Sequence, residues 1–270
     1  MLGAIIGDIV GSVYELKNHR SKDFPFWGKD CCFTDDSVMT VAVGNVCRRL
    51  GESNLPLTEE TEWIQAFSTE MHRYGNIYPG RGYGGRFLRW LESDDPQPYN
   101  SLGNGSAMRV SPVAFCAKTL EDCLTLARLS AEPTHNHPEG VLGAQAAAAA
   151  GWLALRKHSK DEIRNYIEVN FYSLNFTLDK IRDSYRFNAT CRDTVPQAIA
   201  AFLEAESFED TVRNAISIGG DSDTIAAIAG GIAETYYGIP EELKNQCLSH
   251  LPDSMQKDVS DFYGYITKIE

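Results

Sequence analysis

The chain has 270 residues, 43% of them hydrophobic and 23% charged, enough apolar content to bury a large core in one large or two modest domains. Its formal net charge of -12 argues against general nucleic-acid or anionic-membrane affinity, since both partners need a basic field. No apolar run approaches the length of a membrane span, and "MLGAIIGD" lacks the basic start of a secretion signal, carrying Asp8 inside its apolar stretch. The seven cysteines are odd in number, include the adjacent pair Cys31 and Cys32, and show no CxxC spacing. They read as thiols rather than as a disulfide frame or zinc site, and a cytoplasmic protein is expected.

Helical signals dominate in chain order. Gly3, Gly7 and Gly11 recur every four residues in "GAIIGDIVG", placing three positions without side chains on one helical face for close packing against another helix or a ligand. "DDSVMTVAVGNVCRRL" begins acidic and ends basic, as the helix dipole favours. "EETEWIQAFSTEMHRY", "LEDCLTLARLSA", "GVLGAQAAAAAGWLALRKH", "KDEIRNYIEV", "TVPQAIAAFLEA", "FEDTVRNAI" and "SDTIAAIAGGIAETYYG" carry the same spacing. Residues 169–176, "VNFYSLNF", are the nearest approach to a strand and are ambiguous. Gly and Pro mark loops at 74–85, 92–106 and 132–140. No repeat or linker divides the chain, so one all-α domain over residues 1–270 is expected, with the Ala-rich helix near 144–154 at its centre.

Two segments place acids and hydroxyls at the start of an apolar helix: Thr34, Asp35, Asp36 and Ser37, then Asp221, Ser222, Asp223 and Thr224. Carboxylates ~4 Å apart repel by roughly 4 kcal/mol at an effective dielectric of ~20, so capping, solvent or a cation must offset them. Capping satisfies free N–H groups but needs only one such residue per helix. If the segments converge, Asp35, Asp36, Asp221 and Asp223 with Thr34 and Thr224 form an all-oxygen site suited to Mg²⁺ or Mn²⁺. Zinc is disfavoured because neither segment contains His or Cys. An isoprenoid-type DDxxD motif fails because Met39 takes the third acidic position.

"LGNGSAMRV", residues 102–110, combines flexible backbone, a carboxamide, a hydroxyl and Arg109. It suits a diphosphate or simply a tight turn. "RGYGGR", residues 81–86, is a second glycine-rich loop, in which Arg86, like the nearby Arg89, reads as solvated. His135 and His137 in "THNHPEG" read as ligand contacts or as loop and capping residues, and Glu15 has no role readable from its neighbours.

In order along the chain, "GAIIGDIVGSVYE", "FTDDS", "RGYG", "GNGSAMRV", "ARLSAEPTH" and "SIGGDSDTIAAIAGGIAETYYG" together resemble the DraG-like ADP-ribosylglycohydrolases, the ADP-ribosyl-acceptor hydrolase family. The resemblance implies a compact orthogonal multi-helix fold and a dinuclear Mg²⁺ or Mn²⁺ centre with Thr34, Asp35, Asp36, Asp221, Asp223 and Thr224 as ligands. It implies Glu15, Asp35 and Asp36 as catalytic acids and bases. Gly82, Gly84, Ser101, Gly103, Asn104, Gly105, Ser106, Met108 and His135 fall where relatives hold diphosphate and riboses. The partner implied is ADP-ribose on a protein or small molecule. The motifs look most like the branch acting on serine-linked, polymeric and O-acetyl ADP-ribose. Arginine-specific relatives place another aspartate near the position of Tyr83, and none is found here. Leu102 departs from the serine branch, where an aromatic residue helps to sandwich adenine. Two further readings remain: a metal-dependent phosphohydrolase of nucleotide diphosphate sugars, and a non-catalytic ADP-ribose-binding module.

Overall fold

A computed structural model describes residues 1–269. Helices follow one another throughout: α1 (Leu2–Gly11), α2 (Asp35–Glu52), α3 (Glu60–Ile77), α4 (Gly85–Leu91), α5 (Gly105–Met108), α6 (Val113–Cys116), α7 (Leu120–Ala131) and α8 (Pro138–Leu155). They continue with α9 (Lys160–Asn170), α10 (Leu178–Ile181), α11 (Cys191–Leu203), α12 (Phe208–Ile216), α13 (Ser222–Tyr237), α14 (Glu241–Ser249) and α15 (Asp253–Ile269). The described residues contain no strand, only one isolated bridge between Gly103 and Thr190. None of their helices is long and apolar enough to cross a membrane.

Local chemistry sets many of the helix starts. Thr119 with Asp122, and Ser159 with Glu162, form reciprocal capping boxes at α7 and α9. Ser207 caps α12 through the N–H of Asp210. At α8 the His137 ring accepts the Glu139 N–H, and Pro138 occupies the first turn, where no N–H is needed.

Two helices form the spine. In α8 the Ala and Gly positions lie in the core, letting α5, α7, α11 and α13 pack closely around it. The second is α13, buried along nearly its whole length and packed on α1, α11 and α12 as well as α8. The buried side chains form one cluster reaching from Met1 to Ile266.

The glycine face of α1 lies directly on α13. A Cβ on Gly7 would stand 2.7 Å from the Ala227 nitrogen, and one on Gly11 would stand 2.8 Å from the Asp223 nitrogen. On the opposing side, Gly230 meets the Gly3 carbonyl. The two backbones therefore approach without side chains between them, and the expected close packing is helix against helix.

The structure differs from the periodicity reading mainly at the ends of helices and the end of the chain. Helix α3 continues through Tyr74–Ile77, and α9 takes in Val169 and Asn170 of the ambiguous segment. The short α4, α5 and α6 fall between punctuating Gly and Pro residues. Helices α14 and α15 pack the amphipathic C-terminal stretch against the core, through Cys247, Met255 and Phe262 among others.

Because the Cβ introduced by Gly7→Ala would meet rigid backbone, unfolding in denaturant should show a loss of about 1–3 kcal/mol. The exposed Gly264→Ala, which meets nothing within 4 Å, should be neutral or slightly stabilising in the same measurement.

Candidate functional site

The acidic helix starts converge. Asp8, in the last half of α1, is fully buried and accepts from the Thr34 backbone at 2.9 Å, the Thr34 hydroxyl at 2.6 Å and the Ser37 backbone at 3.0 Å, and also from the Ser37 hydroxyl. These bonds fasten the first turn of α2 to α1. Thr34 caps that helix through the Asp36 N–H, which leaves the Asp35 and Asp36 carboxylates free of capping duty. At α13 the left-handed Gly219 and Gly220, with φ of 69° and 74°, turn the chain sharply into Asp221. Asp221 makes no side-chain cap; its carboxylate accepts from Asn104 Nδ2 at 2.8 Å. Thr224 reaches across to donate to Asp36 Oδ2 at 3.3 Å, tying the α2 and α13 starts together.

Carboxylate oxygens of Asp8, Asp36 and Asp223 lie within 4.8 Å of one another, as do those of Glu15, Asp221 and Asp223. Among the described residues, none of these groups, nor Asp35, is in a salt bridge. Burial pushes the Asp36 and Asp223 carboxyls well above their ordinary range, and the neighbouring carboxylates push in the same direction. Asp35 rises to about 8, through burial and then the charge of Asp8. Burial, followed by Asp221, raises Glu15. Burial also raises Asp221, against its hydrogen bonds. Asp36 Oδ1 is buried without a hydrogen-bond partner among the described residues. Crowded anionic oxygens, an orphaned carboxylate atom and the absence of nitrogen or sulfur donors fit a hard divalent cation.

Glu15, Asp35, Asp36, Asp221 and Asp223 form one end of a cavity of about 440 Å³. The rest of its wall includes the glycine loop at Gly82 and Gly84, Arg86, Tyr99, Ser101, Gly103, Asn104, Gly105, Met108, Arg109, His135, Phe187 and Ala189. Gly82, at φ 94°, lies over the start of α2, where a Cβ would stand 3.2 Å from Asp35 Oδ1. The Arg81 carbonyl accepts the Asp35 N–H at 2.8 Å, and its guanidinium lies 3.8 Å from the centre of the Phe33 ring. The segment before α11 runs antiparallel to residues 102–104, with the Asn104 N–H donating to the Ala189 carbonyl at 2.8 Å. That pairing carries Phe187 and Ala189 to the cavity.

The structure thus gathers Glu15, Thr34, Asp35, Asp36, Asp221, Asp223 and Thr224 at one end. Gly82, Gly84, Ser101, Gly103, Asn104, Gly105, Met108 and His135 line the remainder. Ser106 is the exception: its fully buried hydroxyl donates to the Gly140 carbonyl at 2.6 Å, fastening α5 to α8 away from the cavity. The Gly103 N–H is already used by Ser101 Oγ, and the Asn104 N–H by Ala189, so neither is a spare donor. Arg86, read from sequence as solvated, is exposed but lines the cavity with its guanidinium 4.8 Å from the centre of the Tyr99 ring. Sequence reasoning missed Asp8, although an acid inside an apolar, glycine-spaced helix was its signal. Phe187 and Ala189 gave no local signal, because only the chain crossing at residue 103 brings them in.

A family model described as ADP-ribosylglycohydrolase matches residues 1–268. The chain is 28% identical to the ADP-ribosylhydrolase ARH3 of Bos taurus, over 92% of this chain and 87% of the relative. It is 30% identical to the ADP-ribosylarginine hydrolase Tri1 of Pseudomonas putida (strain GB-1), over 88% and 70%. Identity to the ADP-ribosyl-[dinitrogen reductase] glycohydrolase of Rhodospirillum rubrum is 23%, over 96% and 90%. A solved structure described as an ADP-ribosylglycohydrolase-related protein complex shares the fold, with a TM-score of 0.67, 22% identity and coverage of 98% of this chain and 97% of that one.

Carboxyls whose folded pKa is raised contribute stability while protonated, and that contribution is lost as pH rises through the folded value. In the presence of chelator, raising the pH from about 6 to about 8, the value reached by Asp35, should lower the melting temperature by roughly 5 °C. Asp35→Asn should flatten that slope, as followed by circular dichroism.

Proposed function

The chain belongs to the ADP-ribosylglycohydrolase family, hydrolases that remove ADP-ribose from an acceptor, and from this premise we propose a divalent-metal-dependent enzyme that cleaves the glycosidic bond between the distal ribose and an O-linked acceptor. The observation that carries the metal dependence is the buried acid cluster, which has no basic partner among the described residues. The whole chain, residues 1–270, acts as one catalytic domain in this reading. The O-linked preference rests on the sequence around residues 81–84, 103–110 and 127–135. It is also supported by the residue at the position where arginine-specific relatives carry an aspartate: Tyr83 is buried and donates its hydroxyl to the Tyr78 carbonyl at 2.8 Å.

Thr34, Asp35, Asp36, Asp221, Asp223 and Thr224 would hold two Mg²⁺ or Mn²⁺ ions, which when bound supply compensating positive charge and Lewis acidity toward the ribose hydroxyls. The chain's own groups do the remaining work. Asn104 holds Asp221 in place, and Asp8 holds Thr34 and Ser37, so the acids meet the substrate without reorganising. As the bond from the anomeric carbon to the acceptor oxygen breaks, positive charge grows on the sugar ring, and the surrounding carboxylates stabilise it. A water oxygen bonds to the anomeric carbon and gives its proton to Asp36 or Asp35. In this reading Glu15, whose carboxyl burial and then the charge of Asp221 raise above the ordinary range, gives a proton to the departing acceptor oxygen. The products are ADP-ribose and the acceptor alcohol.

The other end of the cavity suits the nucleotide. Arg86, Arg109 and His135 face it, the reverse of the acidic end, and Ser101 and the glycines leave room for the diphosphate and riboses. Tyr99 and Phe187 offer aromatic faces to adenine where Leu102, 40% exposed, offers none.

Asp36→Asn and Asp221→Asn should each lower ADP-ribose release at least roughly 10²-fold with the helical circular-dichroism spectrum unchanged. Exhaustive chelation should abolish release, with Mg²⁺ or Mn²⁺ restoring it; full activity in chelator would end the metal reading. Glu15→Ala should reduce turnover more than metal affinity. Mass spectrometry of digests of serine-linked, arginine-linked and O-acetyl ADP-ribose would identify the acceptor. AMP with ribose phosphate in place of ADP-ribose would indicate diphosphate cleavage instead.

A further inference from the structure

Behind the glycine loop lies a buried cation with no anionic partner. Arg109 is 1% exposed, and its Nη2 donates to the Ser130 carbonyl at 3.0 Å and to Thr134 Oγ1 at 2.9 Å. Its Nε is buried and unpartnered, and among the described residues no carboxylate bridges to it. Thr134, with no exposed surface, lies between this guanidinium and the ring of His135, its Oγ1 2.7 Å from His135 Nδ1.

The donor arithmetic of this row has one complete solution. A guanidinium only donates, so Thr134 Oγ1 accepts from Arg109. The hydroxyl carries one proton, and in a fully buried site that proton needs an acceptor. If His135 Nδ1 carried a proton it would have to donate to Thr134, and the threonine proton would have no acceptor among the hydrogen bonds of the described residues. If Nδ1 accepts from Thr134, both the threonine hydroxyl and Nδ1 are satisfied, and the ring proton sits on Nε2. That nitrogen faces the glycine loop: a Cβ on Gly105 would stand 3.0 Å from it and one on Gly103 3.5 Å. The missing side chains leave the Nε2–H a path into the cavity.

We propose that Arg109, acting through Thr134, is a positioning residue that fixes His135 as the neutral tautomer protonated on Nε2 and aims that N–H at an anionic oxygen of the ligand's diphosphate. Arg109 has a second part in this arrangement, since its uncompensated charge lies on the same side of the cavity and favours an anion there. Naming a diphosphate as the acceptor rests on the ADP-ribose reading above; the tautomer rests only on the row of hydrogen bonds.

Long-range ¹⁵N–¹H correlation spectra of the full-length, histidine-labelled protein test the row, with His135→Gln assigning the signals. Nδ1 should resonate as an unprotonated acceptor and Nε2 as a protonated donor. Thr134→Val, which keeps shape but loses the hydroxyl, should mix the tautomers and weaken ADP-ribose binding roughly tenfold in calorimetry, and Thr134→Ser should restore both. Arg109→Gln, which still donates to Thr134, should keep the tautomer, and Arg109→Met should lose it. A proton on Nδ1 in the unsubstituted protein overturns the proposal, as does a Thr134→Val spectrum unchanged from it. A tautomer retained in Arg109→Met removes Arg109 from the row; should that variant not fold, the Thr134 pair still decides. Failure of the unsubstituted protein to bind ADP-ribose would refute the substrate reading, and the spectra of free protein would still judge the row.

Discussion

The close seating of α1 on α13 is the constraint on which the site depends. Glycines every four residues on one helix meet Gly230 and Ala226 on the other, so the two backbones touch where side chains would ordinarily hold them further apart. That approach brings Asp8 and the start of α13 into one neighbourhood. Asp8 then draws in the start of α2 through four hydrogen bonds to Thr34 and Ser37. Packing of small residues is thus translated into a cluster of acids drawn from three helices.

The cluster is costly for the ligand-free fold. Carboxyls at this spacing and depth are held above their usual range by burial and by one another, and among the described residues they lack the lysine or arginine that ordinarily offsets a buried acid. Such an arrangement persists because the surrounding core over-determines it. The same buried, fixed surroundings strengthen the attraction of these oxygens for any positive charge that comes to rest among them. Stability given up at this end of the cavity is the physical counterpart of the chemistry proposed for it.

Opposite ends of the cavity carry opposite character. Acids crowd one end, while Arg86, Arg109 and His135 occupy the other, with Gly103 and Gly105 against the His135 ring. A molecule with an electropositive reacting carbon at one end and a diphosphate further along matches that polarity. The short antiparallel pairing at Gly103 and Thr190 completes the wall, and it adds Phe187 from a part of the chain that no motif marks.

Much of this is legible in the sequence. Period-3.6 patterning located the long helices, because each buries one stripe against the core. The glycine spacing announced a close approach, and the doubled acid–hydroxyl starts announced something beyond capping. Family motifs in order carried the fold and the reaction class. Helix ends such as Tyr74–Ile77 were hidden because glycine and proline nearby mimic a loop. Sequence alone determined which residue types were available and which helix faces were small, apolar or acidic, since those follow from side-chain identity and local period. Tertiary structure alone decided that the glycine face met a helix, that Asp8 served as the brace, that Ser106 turned inward, and that Arg109 reached His135 through Thr134. Those outcomes depend on contacts between segments tens to hundreds of residues apart, whose meeting no local pattern encodes.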